Sequence, residues 1–134
     1  VQTFLPYPSL RESAQCLDDK RLGNQRREAI TLLGAIHPYS PNGWCHHPAA
    51  KMWRGFTPAL RQYLREICLE WKQRGFEQSF AIPGDQGDFR KPWWLGIRRL
   101  HSSHRAALLH KNPAWYRQFG WDEQAKLDYY WPVP

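Results

Sequence analysis

"TPALRQYLREICLEWKQRG", residues 57–75, decides the fold class. Thr57 offers an N-cap, Pro58 falls in the first turn where its missing N–H costs nothing, and Gly75 follows the last turn. Leu60, Leu64, Ile67 and Trp71 recur at helical spacing along one face, with Tyr63 and Cys68 beside them. Upstream, Ser9 and Glu12 form a capping-box signature for a short helix over "SLRESAQCL", with Leu10, Ala14 and Leu17 facing inward. Asp18 and Asp19 are placed to cap a second helix running to about Ile36, with an inner stripe of Leu22, Ala29, Leu33 and Ile36. Gly23 within it costs up to about 1 kcal/mol of helix propensity. Such a glycine is either neutral drift or a place where another group approaches the backbone closely.

Residues 37–48 read as a loop, 49–56 as a short helical piece, and 77–95, rich in Pro, Gly and Asp, as a long loop. Ser102 or Ser103 is predicted to cap a further helix that Pro113 closes, and the aromatic tail to wrap over the helices. Nothing alternates with strand period, so the expectation is all-α, one domain over 1–134. Pro6 and Pro8 keep the first residues extended or irregular.

The 134 residues carry a net charge of +7 and eight tryptophans, a balance that favours a polyanionic partner, nucleic acid or acidic lipid. No apolar stretch approaches the roughly 20 residues needed to span a bilayer, and the start lacks the basic-then-apolar order of a secretion signal. Cys16, Cys45 and Cys68, odd in number and without a CxxC, read as reduced core cysteines of a cytoplasmic protein. Paired zinc-ligand spacings and HExxH are absent, so the adjacent Cys45, His46 and His47 are not read as a metal site. His101 and His104, at i,i+3, can share a helix face and read as hydrogen-bonded or surface histidines rather than metal ligands. Without a Walker loop, GxGxxG or GxSxG elbow, phosphoryl transfer, dinucleotide chemistry and serine hydrolysis lack their sequence support. The expectation is no metal, no cofactor and a monomer.

Between Phe89 and Trp121 every charged residue is a cation: Arg90, Lys91, Arg98, Arg99, Arg105, Lys111 and Arg117. Trp93, Trp94, Trp115, Tyr116 and Phe119 are interleaved with them. Cations for phosphates beside aromatic platforms for bases make a nucleic-acid surface, although such rings also fill small cores. In "KRLGNQRREAITLL", residues 20–33, Arg21, Asn24, Arg27, Glu28 and Thr31 cluster away from the apolar stripe. Cations around Glu28 favour its ionised form, which fits either a solvated ion pair or a working carboxylate.

"LGNQRRE" after "LDDKR", the central "LREICLEWKQRGF" and the late "HKNPAWYRQFG" resemble the pyrimidine-dimer DNA glycosylase family, the phage-type endonuclease V enzymes. Leu22 precedes an Arg27–Glu28 pair at the family's spacing, residues 74–76 match its "RGF", and Pro113, Trp115, Tyr116 and Gly120 match its late aromatic pattern. The resemblance implies a DNA glycosylase with abasic-site lyase activity. The α-amine of the processed first residue, here Val1, attacks C1′ under a damaged pyrimidine, an imine forms, and β-elimination cuts the strand. If a methionine precedes it, the small Val1 permits its removal and exposes that amine; an alternative start codon would make methionine the first residue, and a leftover tag residue would block the site. An α-amine with a pKa of about 7.7–8.0 is far more often uncharged at neutral pH than a lysine near about 10.4.

By the same resemblance Glu28 is the essential carboxylate, and Arg27 holds a phosphate beside the lesion. Gln2, Arg21, Asn24, Arg98, Arg105, Lys111, Trp115, Tyr116 and Arg117 are the other expected contacts to double-stranded, lesion- or abasic-site-containing DNA. Arg21 stands where the phage enzyme has a histidine, Gln2 and Thr31 where it has arginines. These losses leave strand cleavage at abasic sites more secure than dimer specificity. Trp44, His46, His47 and Trp53 are candidates for a lesion pocket peculiar to this branch. Two alternatives stay open: a non-catalytic nucleic-acid-binding module, and imine chemistry directed at another modified base or a nucleotide.

Overall fold

The computed structural model describes residues 1–134 throughout. Two helices of 17 residues, α2 (Asp19–Ala35) and α4 (Thr57–Gln73), pack against each other at its centre. Around them lie α1 (Leu10–Cys16) against α4, α3 (Pro48–Trp53) against α2, α5 (Arg98–Lys111) and the single turn α6 (Pro113–Tyr116), followed by a 3-10 turn over Arg117–Phe119. The fold is all-α. No helix is long and apolar enough to cross a membrane.

Local chemistry explains most of the boundaries. Ser9 Oγ accepts from the Glu12 N–H at 3.2 Å and starts α1, and Gly75 at φ 90° ends the run after α4. The N-terminus of α4 differs from expectation: Thr57 is already helical and Phe56 holds the cap position without a side-chain bond. Asp18 does hold the cap position of α2, yet its carboxylate makes no cap bond. Three groups compete for it successfully: the Tyr116 hydroxyl, Arg21 at 3.2 Å and Asn112 at 3.4 Å. Helix α5 begins at Arg98, four residues before Ser102, so neither serine caps it. Ser103 Oγ instead donates back to Leu100 O at 2.9 Å, and Ser102 Oγ donates to Glu123 at 3.0 Å.

The buried stripe of α2 is Leu22, Gln25, Ala29 and Leu32, whereas Leu33 is only partly covered. A polar residue therefore occupies a core position one turn before Glu28. Of the two readings open for Gly23 the structure shows the close approach, since a Cβ there would lie 3.0 Å from the Trp71 ring of α4. Trp71 in turn stacks on Phe76 with centroids 4.2 Å apart and carries Arg26 over its other side at 4.9 Å. One cluster of 26 buried apolar residues forms the core, where Trp53 and Trp94 meet edge to face at 4.8 Å. Cys16, Cys45 and Cys68 are free, and burial pushes the Cys16 and Cys68 thiols up to about 12 and about 11.

Residues 2–6 run extended through this core with no strand beside them. Their backbone is satisfied by side chains. His104 and His101 of α5 hold Leu5 from both sides: the Leu5 N–H donates to His104 Nδ1 at 2.9 Å, and His101 Nδ1 lies 2.7 Å from Leu5 O. His101 Nε2 accepts from the Gly96 N–H at 2.9 Å, which leaves the proton on Nδ1. Both rings are neutral, as burial lowers both pKa values, His104 to about 3.

That burial has a pH consequence. His104 stays neutral in the folded chain down to about 3, while the unfolded chain protonates it near about 6.5. Stability from this group is complete above about pH 6.5 and falls as pH drops towards 3. Between pH 6.5 and 4 the loss amounts to roughly 3 kcal/mol. His104→Asn keeps an acceptor for the Leu5 N–H and removes the titration. Urea unfolding should therefore show a shallower acid decline for the variant than for the parent; parallel declines would refute the linkage.

Candidate active site

The extended start of the chain ends at α2. Gln25 Nε2 donates to Gln2 O at 2.9 Å, and Gln25 Oε1 accepts from the Phe4 N–H at 3.0 Å. The same oxygen accepts from the Tyr63 hydroxyl at 2.7 Å, which also lies 2.9 Å from Phe4 O. Trp53 Nε1 donates to Thr3 Oγ1 at 3.0 Å, fixing the residue between. Gln25 thus ties the first residues to the helix that carries Glu28 three positions later.

A cavity of about 570 Å³ results, and Val1 and Glu28 both line it. Lys20, Arg21 and Asn24 of α2 and Lys111 at the end of α5 complete its polar wall. Glu28 is half-buried and enters none of the ion pairs, so its carboxylate is not neutralised by an arginine. Arg21 is held from behind by Asp18, which Tyr116 fixes in turn. The remaining wall is aromatic: Phe4, His47, Tyr129 and Trp131. His47 Nδ1 accepts from the Ala49 N–H at 3.0 Å and caps α3, so the neutral ring carries its proton on Nε2. Burial lowers the His47 pKa, and the charge of the Val1 amino group lowers it further.

The other expected contacts are scattered. Arg27 lies on the neighbouring groove of α2 and bonds Asn24 Oδ1 at 3.1 Å. Arg98 lines a separate cavity across Tyr129, and Arg117 is exposed on the 3-10 turn. Arg105 is spent on scaffolding, donating to Pro6 O at 2.7 Å and pairing with Glu123 at 2.7 Å. Trp115 is half-buried and donates to Cys16 O at 2.8 Å. Tyr116 and Trp53 are fully buried, so the expectation that they touch DNA or a lesion gives way to core roles. Trp44 and His46 are exposed, and Trp44 meets His47 edge to face at 5.7 Å. Gln2 lines the cavity and is buried: its Oε1 is occupied by the Thr3 N–H, and its Nε2 has no partner.

Sequence reading missed Gln25, Tyr129, Trp131 and Lys20 as site residues. Gln25 had a usable signal, because a polar side chain in register with Leu22 and Ala29 must be buried and therefore partnered. The tail aromatics had none.

One carboxylate, Glu28, and three cations, Lys20, Arg21 and Lys111, line the cavity with Val1, in a small, basic, all-α protein. A family model described as pyrimidine dimer DNA glycosylase matches residues 1–82, more than half of the chain, and the chain belongs to that family. It is thus a member of a family of DNA-repair glycosylases, whose substrate is DNA. Comparisons with curated proteins and with solved structures found no match.

Gln25→Ala removes partners from Gln2 O and the Phe4 N–H at once, and should cost roughly 2–4 kcal/mol. Urea unfolding measures the loss, and amide exchange at Phe4 should accelerate more than exchange in the centre of α4. Uniform acceleration would mean that Gln25 does not hold the segment locally.

Proposed function

We propose that the chain removes damaged pyrimidines from duplex DNA and cleaves the resulting abasic site, using the Val1 α-amine as nucleophile and Glu28 as the assisting carboxylate. The observation that carries this reading is that Val1 and Glu28 line one cavity together with three cations, Lys20, Arg21 and Lys111, and no second carboxylate. The amine lone pair forms a bond to C1′ as the C1′–N bond to the base breaks, and the departing base takes up a proton. Opening of C1′–O4′ gives the imine; loss of a C2′ proton then expels the 3′ phosphate by β-elimination, and water releases the enzyme. The Glu28 carboxylate stabilises the positive charge that develops on the sugar and imine and relays these protons. Lys20, Arg21 and Lys111 hold flanking phosphates, with Arg27 extending the cationic track along α2.

The reading also accounts for the departures from the phage pattern. Gln2 is tied down at Oε1 and brings no charge, so phosphate binding falls to the cations of α2 and α5. A non-catalytic module would use the cations of this cavity for phosphates and would give the Glu28 carboxylate, which repels them, no role.

Borohydride added to the protein, its first residue confirmed as Val1, with abasic duplex should trap a covalent adduct at residue 1; acetylating that amine should abolish it. No adduct with a free amine overturns the proposal. Glu28→Gln should keep the fold and most of the DNA affinity while lowering turnover on the order of 10²-fold or more. Turnover equal to the parent would remove Glu28 from the mechanism.

A further inference from the structure

The cavity at Val1 is closed on one side by residues far from the matched 1–82 region. Residues 121–134 form no helix, and their backbone makes one bond to another backbone, Lys126 N–H to Ala106 O at 3.1 Å. The Tyr130 N–H donates to Ser103 Oγ at 3.1 Å, and Lys51 Nζ reaches Pro134 O at 3.4 Å. Between these ties the segment is located by its rings. Tyr129 packs edge-on against Phe4 and His104 at 6.2 and 5.8 Å, and Trp131 against His47 at 5.6 Å. Both rings remain partly exposed, and both line the cavity with Val1 and Glu28.

We infer that this tail is a strap whose Tyr129 and Trp131 form the aromatic wall against which the base on the attacked sugar stacks, making Trp131 a specificity-determining residue for base removal. The inference rests on the amine reading above. An amine bonding to C1′ lies within one ring's length of the base attached there, so that base meets the cavity wall, and the large aromatic surface on that wall comes from the strap. An aromatic wall takes a planar base by stacking and a saturated, puckered pyrimidine by apolar contact, without reading its edge. A second observation concerns the edge of the base. Gln2 Nε2, buried and without a partner beside Val1, is a donor that a pyrimidine carbonyl oxygen satisfies with a small side-chain movement. An abasic sugar has no ring to stack and no such oxygen, so the strap acts on base release and not on imine formation at an abasic site.

The experiment pairs two duplexes, one with an intact damaged pyrimidine and one with an abasic site, and three proteins: the parent, Trp131→Ala and Trp131→Phe. For W131A, base release should fall roughly tenfold while borohydride trapping on abasic duplex stays within about threefold of the parent. W131F should recover most of the base release, as a structural loss of the tail would not predict for the base-bearing duplex alone. If W131A releases base at the parental rate, or loses both activities in equal proportion, the strap proposal is overturned while the amine reading stands. If the parent itself forms no abasic adduct, the amine reading fails and this inference falls with it.

Discussion

The structure depends on how an extended segment without a strand partner is carried through a helical core. Buried N–H and C=O groups must be paired, and each left unpaired costs about 1–3 kcal/mol. Helices have spent their own backbone groups internally, so only side chains remain. Gln25, Tyr63, His101, His104 and Arg105 supply them, drawn from α2, α4 and α5. The segment is thereby fixed in register, and Val1 lines the same cavity as Glu28 of α2. Fold and site are consequently one problem, because the bonds that place residue 1 are the bonds that complete the core.

Charge is distributed with the same economy. Asp18 gives up the usual capping role and anchors Tyr116, Arg21 and Asn112, joining the start of α2 to α6. Arg105, Arg74 and Arg26 are absorbed by Glu123, by Asp19 and Glu70, and by the Trp71 ring. What is left free around the cavity is Lys20 and Lys111, with Arg21 braced from behind. A net charge of +7 overstates the number of cations available to a phosphate backbone, since several are spent on architecture.

Of eight tryptophans in 134 residues, Trp44 and Trp93 are exposed, and size explains most of the others. A small chain has little interior per unit of surface, and large rings cover more apolar area per residue than aliphatic side chains do. Trp53 and Trp94 fill the centre, Trp71 seals α2 on α4 through Gly23, and Trp115 closes α1 on α6. Trp131 and the part-exposed His47 instead face the cavity, where a ring that is not fully covered has surface left for a ligand.

Local chemistry was legible without coordinates. The helical class, the cap at Ser9, the stop at Gly75 and the core face of α4 each follow from a few adjacent residues, because helix energetics are set within one or two turns. Gly23 left drift and a close approach equally open, and Trp71 of α4 decides between them. Family membership was legible through the Leu22 to Glu28 spacing and the late aromatic run. Hidden from it was everything requiring distant segments to meet: Asp18 diverted by a tyrosine 98 positions away, Leu5 gripped by histidines 96 and 99 positions away, Tyr116 withdrawn into the core, and a tail that lines the cavity of the first residue. A sequence states which groups need partners and how a helix arranges its own faces. Which partner answers is decided only when packing excludes water and leaves a single side chain within reach.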